Sequence, residues 1–357
     1  MTVVNSVVTL ADLEIDPYGT YARLRREDPV SFIPGLGRWL VTSWAEVHRV
    51  LAEPGVFTAD TVPREARAAI EHDYGPHRVT DFVDTIVRPY ADLVAGGLLP
   101  AGRAELVGDY FEPVAMLAHA ELAGLDPVDA RRMRRWGLAL VDGGTETELV
   151  AAMADLDEAV GPVVERLRAR PDGSVIAHLV HAGADLFPVL KHFVQGQLEA
   201  GWLAGMTLLG LLGRPEQLAE IRADRWLLGA AVYEALRWGG PMGMVTRRTT
   251  RVVSLGGKEL PRGARLAVSI AAANRDEWVF PDADVFDLHR TVRTHLGFGS
   301  GAHECPAHAF VPAIARTALD VLLTRMPGLR PEAGWRPAPH GWRLRRPGPI
   351  DVEWGYA

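Results

Sequence analysis

Residues 295–310 read HLGFGSGAHECPAHAF and contain the only cysteine of the chain, Cys305. Three glycines precede this cysteine, and Pro306 follows it ahead of a helical pattern of apolar residues. The order predicts that Cys305 lies at a helix N-terminus, where backbone N–H groups and the helix dipole favour a thiolate. A glycine-rich loop also lets the backbone approach a flat ligand closely. The stretch is therefore suited to hold an anionic sulfur against the metal of a planar cofactor.

A lone cysteine in such a position has two other common roles. It can be a buried and inert side chain, which is the more frequent fate of a single cysteine. It can also be a catalytic nucleophile, with His303 or His308 as its base. The residues of the loop by themselves leave all three interpretations open.

The composition excludes several classes of protein. The chain has 357 residues, 48% of them hydrophobic, and its net charge of −7 argues against nucleic-acid and anionic-membrane partners. The single cysteine excludes an intramolecular disulfide framework, a cysteine-rich zinc site and a cysteine-ligated iron–sulfur cluster. Residues 2–10 lack the basic leader of a targeting signal, and the most apolar window, 200–213, is too short to span a bilayer. We therefore expect a cytoplasmic protein with no membrane or nucleic-acid partner.

Periodic apolar residues and helix-capping signals predict a mainly α-helical chain with a small β part. The strand signals are short runs at 38–42 and 265–270 and a hairpin that turns at Gly256-Gly257. The β-rich pieces thus lie near 38–42 and 247–270. Helices are expected over residues 16–27, 43–53, 79–96, 105–123, 145–169, 185–213 and 216–238.

The stretch FGSGAHEC, from Phe298 to Cys305, resembles the haem-binding signature Phe-x-x-Gly-x-x-x-Cys of the cytochrome P450 family. Further motifs of this family occur in the expected order: LADLEIDPYGTYARLRREDPV at 10–30, YEALRW with Glu234 and Arg237, and AANRDEWVFPDADVF at 272–286. The resemblance covers nearly the whole chain. It implies one haem-thiolate domain over residues 1–357 that encloses the haem.

The resemblance also implies the cofactor and its ligands. The cofactor is haem b (iron protoporphyrin IX), and the thiolate of Cys305, on the loop 295–306, is the proximal iron ligand. Phe298, Gly299 and Gly301 form the cofactor-binding part of this loop. His295 and Arg247 match positions that the family uses to bind the haem propionates.

Arg67 is a further candidate for the propionates. The resemblance aligns it with the arginine of a His-x-x-x-Arg pair, although Pro63 occupies the histidine position. Glu234 and Arg237 match a buried structural pair that braces the cysteine loop. The family adds a later arginine to this pair where the present chain has Val285, so we expect a simplified network.

The helix at 185–213 is implied to cross the distal side of the haem. In oxygen-activating members it carries an acid followed by a threonine, which deliver protons to bound dioxygen. Here Leu198 replaces the acid and Glu199 replaces the threonine. Glu199 is therefore the candidate catalytic acid or base, and the alternative is that it points away from the iron into a hydrogen bond. The loop before Arg67 is also shorter than usual, which is expected to open the distal side.

These features predict an oxidoreductase that acts on a small organic molecule in bacterial secondary metabolism. In its ordinary form it is a monooxygenase that receives electrons from a ferredoxin and a ferredoxin reductase. One alternative is an enzyme that uses peroxide or does not activate oxygen, with Glu199 as distal acid or base. The other is a catalytically silent haem protein.

Overall fold

The structure, a computed structural model, describes residues 8–59, 64–125, 130–142, 145–184, 186–291 and 294–355. The chain divides into two compact units, and the boundary between them falls inside a helix. Unit 1 comprises Met1–Thr61, Tyr233–Cys305 and Pro337–Gly348, and unit 2 comprises Val62–Val232, Pro306–Arg336 and Pro349–Ala357. The expectation of one haem-thiolate domain over residues 1–357 stays a prediction.

Helices account for most of the described chain. They are α1 (Leu10–Ile15), α2 (Pro17–Glu27), α3 (Trp44–Ala52), α4 (Arg64–Asp73), α5 (Val79–Phe82), α6 (Arg88–Leu98), α7 (Glu112–Ala123), α8 (Ala130–Asp142), α9 (Glu146–Ala169), α10 (Val175–His181), α11 (Leu186–Leu212), α12 (Pro215–Ala223), α13 (Leu228–Gly239), α14 (Ile270–Ala273) and α15 (Phe310–Arg325). The strands are β1 (Val30–Ile33), β2 (Arg38–Val41), β3 (Phe57–Thr58), β4 (Arg103–Glu105), β5 (Met244–Thr249), β6 (Val253–Leu255), β7 (Lys258–Leu260), β8 (Arg265–Ser269), β9 (Arg330–Pro331) and β10 (Asp351–Glu353). The predicted class, mainly α with a small β part, is confirmed.

Unit 1 is built around a five-stranded sheet in the order β1-β2-β8-β5-β3. Its pairs are antiparallel except for the parallel pair β2 and β8. Alternate residues of β2 enter different apolar clusters, since Leu40 packs in the cluster of α1 and α2 and Val41 in that of α3. The sheet is thereby covered on both faces. β6 and β7 form the expected hairpin, with Gly256 and Gly257 both at positive φ in its turn.

Unit 2 is centred on α11, which packs against α7, α8 and α15. This helix is buried on nearly every side from Gln197 to Leu211, which is typical of a central helix. A small sheet in the order β4-β10-β9 completes the unit. Among the described residues, no helix combines the length and the apolar character that crossing a membrane requires.

The single helix predicted over 216–238 is wrong, because the chain breaks at Asp224 into α12 and α13. Asp224 has an extended backbone, with φ −133° and ψ 101°, and its carboxylate accepts the N–H of Trp226 at 3.0 Å. An aspartate that caps the next turn in this way ends one helix and starts another. The predicted helices at 79–96 and 105–123 are each continuous helical segments that contain a π-helical stretch, Val83–Val87 between α5 and α6 and Val107–Phe111 before α7. The other predicted helices lie within one or two residues of the observed ones.

Candidate functional site

The cysteine loop of unit 1 is held at both ends by backbone hydrogen bonds. The N–H of Leu296 donates to Oδ1 of the buried Asn274 at 2.7 Å. The N–H of Cys305 donates to the carbonyl of Phe298 at 2.9 Å, which closes the loop on itself. Cys305 is half-buried in this arrangement. The loop therefore presents its single thiol from a fixed backbone.

Two glycines of the loop have conformations that other residues rarely adopt. Gly299 and Gly301 have φ values of +75° and +71°, in the left-handed region. A Cβ at Gly301 would also lie 3.2 Å from the carbonyl oxygen of Leu51, at the end of α3. Both glycines therefore suit the path of the loop, and their role in binding a cofactor stays a prediction.

Cys305 does not lie at the N-terminus of a regular helix, so that expectation is wrong. Residues 306–309 form turns, and α15 starts only at Phe310, whose N–H donates to the carbonyl of Ala307 at 3.0 Å. The four turn residues 306–309 separate the cysteine from the first residue of the helix. The favourable effect of a helix N-terminus on a thiolate acts within the first turn, which Cys305 precedes.

His295, the first residue of the loop, carries a buried donor that has no partner in the part of the chain that the structure describes. Its Nδ1 accepts the N–H of Gly297 at 3.1 Å, so the neutral ring holds its proton on Nε2. Nε2 is buried, and none of the described residues accepts a hydrogen bond from it. Burial lowers the pKa of His295 to about 4. The ring is fixed against Tyr233, with ring centroids 4.2 Å apart.

Arg247 on β5 is a second buried donor of the same unit. One Nη donates to the carbonyl of Thr246 at 2.8 Å, whereas the buried Nε has no partner among the residues that the structure describes. Burial lowers the pKa of Arg247 below its usual value. A buried guanidinium with no anion beside it is costly, since buried charges are normally paired. An anionic group at this position would satisfy it.

The brace behind the loop has three members, which corrects the expectation of a simplified network. Arg237 donates to both carboxylate oxygens of Glu234, at 2.9 and 2.7 Å, and all three groups of the brace are largely buried. Arg290 supplies the second arginine, and its Nε donates to Glu234 Oε1 at 2.9 Å. Arg290, five residues after Val285, therefore takes the role of the arginine that is absent at position 285. Nη of Arg237 and of Arg290 both donate to the Val285 carbonyl.

Glu199 lies on α11 in unit 2 and is half-buried, as is Gly196 one turn before it. The flanking Leu198 and Ala200 are fully buried, so Glu199 and Gly196 share the more open side of the helix. Gln197, two residues before Glu199, is 1% exposed, and within the described part of the chain neither polar atom of its amide has a partner. No signal in the sequence distinguished this glutamine from a surface residue.

Arg67 lies on α4 in unit 2 and forms an ion pair with Glu71 one turn later, at 2.7 Å. Its side chain is 27% exposed. Pro63 and the start of the shortened loop, from Asp60, lie outside the described residues. A role for Arg67 at the propionates therefore stays a prediction.

Comparison with known proteins agrees with this geometry. The cytochrome P450 family model matches residues 217–326, which include the brace and the cysteine loop. The chain is 31% identical to cytochrome P450 monooxygenase PikC of Streptomyces venezuelae, over 89% of this chain and 86% of that protein. It is also 31% identical to mycinamicin IV hydroxylase/epoxidase of Micromonospora griseorubida, over 94% of this chain and 95% of that protein.

The chain belongs to the cytochrome P450 family. The resemblance of its motifs is thereby confirmed. The fold agrees as well: CYP109E1 from Bacillus megaterium superposes with a TM-score of 0.88 over 96% of this chain and 98% of that one, at 20% identity. The present chain is thus an oxidoreductase that binds haem b through a cysteine thiolate. Its relatives are monooxygenases of secondary metabolism.

Proposed function

We propose that Cys305 is the thiolate ligand of the haem iron and that His295 and Arg247 bind the haem propionates. The observation that carries the proposal is that two buried donors, Nε2 of His295 and Nε of Arg247, have no hydrogen-bond partner among the described residues. Both belong to the unit that holds the only thiol of the chain. Two donors and one soft anionic ligand match the two propionates and the iron of haem b.

The residues of the loop fix the geometry of this ligand. Gly299 and Gly301 let the backbone turn closely, and the bond from Cys305 N–H to the Phe298 carbonyl sets the direction of the cysteine. The brace of Glu234, Arg237 and Arg290 supports the segment behind it. When bound, the haem supplies an iron centre whose thiolate ligand favours cleavage of an O–O bond.

The carbon monoxide difference spectrum of the reduced protein tests the ligand. We expect a band at about 450 nm, typical of a thiolate opposite carbon monoxide, and its loss in Cys305→Ala. His308→Gln, which changes an exposed residue of the same segment, serves as the control and should keep the band. A freshly prepared native protein that shows only a band at about 420 nm contradicts thiolate ligation.

We further propose that Glu199 is a distal acid or base of the reaction. In the P450 family the helix corresponding to α11 crosses the distal side of the haem, and the threonine position is Glu199 here. A carboxylate placed above a haem is costly to bury as an anion, which favours proton uptake near neutral pH. Its oxygen atoms could then accept a proton from one peroxide oxygen and return it to the other.

The presence of Glu199 favours peroxide as the oxidant. The alternative oxidant is dioxygen together with two electrons from a redox partner. A threonine hydroxyl orders water without carrying charge, whereas a carboxylate competes for that water. Peroxide already contains both oxygen atoms and both electrons, and needs only a local acid or base. Dioxygen with electrons from a ferredoxin and its reductase is the second candidate, because the relatives are monooxygenases.

Turnover of one substrate with each electron source separates the two candidates. With Glu199 as acid or base, Glu199→Gln should lower peroxide-driven turnover at least about tenfold, or roughly 1.4 kcal/mol of barrier. Glu121→Gln, an exposed carboxylate on α7, is the control and should leave the turnover unchanged. Efficient ferredoxin-driven turnover that is insensitive to Glu199→Gln excludes this role. Absence of turnover from both sources, with haem intact, identifies a catalytically silent haem protein.

The substrate class follows from the relatives and stays part of the proposal. The two relatives named above are a monooxygenase and a hydroxylase/epoxidase of mycinamicin IV. We infer a small organic product of bacterial secondary metabolism as the substrate, to which the enzyme adds oxygen or from which it removes electrons. A shift of the ferric haem spectrum on titration with candidate compounds would identify the ligand directly.

A further inference from the structure

A buried carboxylate connects three helices of unit 2. Glu112, the first residue of α7, is 3% exposed and accepts the indole N–H of Trp202 on α11 at 2.8 Å. Its second oxygen accepts Nε of Arg134 on α8. Trp202 is fully buried, and the side chain of Arg134 is 42% exposed. The carboxylate is thus bonded on one side to α11 and on the other to a partly solvated cation.

The backbone of α11 also approaches Glu112 very closely at the neighbouring residue. A Cβ at Gly201 would lie 2.8 Å from the carbonyl oxygen of Phe111 and 3.0 Å from Cα of Glu112. Real Cβ atoms do not come so near to backbone atoms, and backbone cannot move aside as a long side chain can. Gly201 is therefore required for the contact, and it fixes which side of α11 faces the start of α7.

The apolar residues of α11 do not by themselves choose a rotation for this helix. Residues on all its sides, including Leu198, Ala200, Leu203, Ala204 and Leu208, are buried. Rotation about the axis would exchange one apolar residue for another at little cost in buried area, unlike in an amphipathic helix. A directed polar contact and a glycine-only approach are then the features that define one rotation. Both occur on consecutive residues, Gly201 and Trp202.

We propose that Glu112 is a positioning residue that fixes the rotation of α11 and thereby the direction of Glu199. Trp202 follows Glu199 by three residues, so the two side chains lie about 60° apart around the helix axis. Any rotation of Trp202 away from Glu112 turns Glu199 by the same angle. Arg134 donates to the second oxygen of Glu112, so both carboxylate oxygens are engaged, one by α8 and one by the indole of α11. The inference rests on the proposed function in that Glu199 is the group being directed.

The chain offers a matched control for this contact. The indole N–H of Trp136 on α8 donates to Asp155 of α9 at 2.7 Å, and Arg132 pairs with the same carboxylate. Trp136 is 4% exposed. The set has the same chemistry of tryptophan, carboxylate and arginine, but none of its three members lies on α11. Trp136→Phe therefore removes an indole–carboxylate hydrogen bond of the same kind, at a more exposed carboxylate and outside α11.

The experiment measures hydrogen–deuterium exchange of the haem-bound enzyme over residues 196–206. We expect Trp202→Phe and, separately, Gly201→Ala to speed exchange there about tenfold, as loss of one buried hydrogen bond or of the close approach implies. Trp136→Phe should leave these amides within about twofold of wild type. Glu112→Gln keeps an acceptor for the indole and should exchange more slowly than Glu112→Leu. Unchanged exchange in both Trp202→Phe and Gly201→Ala overturns the inference.

A second arm follows the ferric haem spectrum across pH in the same variants. Trp202→Phe should shift the midpoint of the pH transition that Glu199→Gln abolishes, and Trp136→Phe should not shift it. A midpoint that stays in place while exchange in α11 rises overturns the link between Glu112 and Glu199. If Glu199→Gln does not abolish the pH transition, the proposed role of Glu199 fails. Hydrogen–deuterium exchange alone then decides whether Glu112 fixes the rotation of α11.

Discussion

Neighbouring residues on one strand make the propionate assignment testable. Arg247 and Arg248 follow each other on β5, and strand alternation sends the first inward and the second to the surface. Of these two arginines, Arg247 is the buried one, and its Nε has no partner among the described residues. The two arginines thus have the same charge and nearly the same backbone position. They differ in whether an anion inside the protein can reach them.

We predict that Arg247→Gln releases haem faster than wild type and that Arg248→Gln does not. A charge-assisted hydrogen bond contributes about 1.5–3 kcal/mol, which corresponds to a rate increase of about tenfold to a hundredfold. The measurement is the rate of haem transfer to an excess of a haem-acceptor protein. His295→Leu should act in the same direction. Equal rates for the two arginine variants would remove Arg247 from the site.

Much of the site could be predicted from residue types in order along the chain. Cys305, the glycines before it, and His295 lie within one short segment, so their proximity follows from the covalent chain. Arg290 and Glu112 could not be found in this way. Their partners, Glu234 and Trp202, are 56 and 90 residues distant in sequence. Such contacts arise from packing, for which a single sequence carries no spacing signal.

At the scale of elements, the break at Asp224 shows a limit of periodicity. The residues on both sides of it are good helix formers, and an aspartate is compatible with a helix interior as well as with a cap. The extended backbone of Asp224 and the hydrogen bond from the N–H of Trp226 to its carboxylate make this residue a cap rather than part of a helix interior. The opposite case is the hairpin of β6 and β7, where two consecutive glycines between short strand patterns predict a two-residue turn, and both have positive φ.

The brace links α13 to the chain that precedes the cysteine loop, and its members are not equivalent. We predict that Glu234→Ala destabilises the protein by about 3–5 kcal/mol, because it leaves two buried arginines without an anion. Arg290→Ala should cost less, about 1–3 kcal/mol, because Arg237 still pairs with Glu234. Urea unfolding followed by circular dichroism measures both. A larger loss for Arg290→Ala than for Glu234→Ala would contradict this order.

For the molecule as a whole, a buried histidine predicts how stability depends on pH. His119 on α7 is 3% exposed, and its Nδ1 bonds to the carbonyl of Ala115 at 2.8 Å. Burial lowers the pKa of His119 to about 4. The unfolded histidine has a pKa of about 6.5, so between these values only the unfolded chain binds the proton. The free energy of unfolding therefore falls as the pH is lowered from about 6.5 to 4.

We predict that His119→Phe, which keeps a ring but does not titrate, flattens this dependence. The contribution of the wild-type histidine across the window is on the order of 3 kcal/mol. Urea unfolding at several pH values from about 7.5 to 4.5 gives the slope for each protein. The comparison uses slopes, so any constant loss of stability in the variant cancels. Identical slopes would show that His119 is already protonated in the folded protein.

The half-buried thiol on the cysteine loop is also the only sulfhydryl group in the chain. A thiolate bound to iron does not react with an alkylating reagent, whereas the same group in a molecule without haem does. Maleimide treatment followed by intact-mass spectrometry would therefore sort every molecule of a preparation into two mass classes. The ratio of the classes reports cofactor occupancy without any optical signal. Cys305 can therefore serve as a chemical label that reports whether a given molecule contains haem.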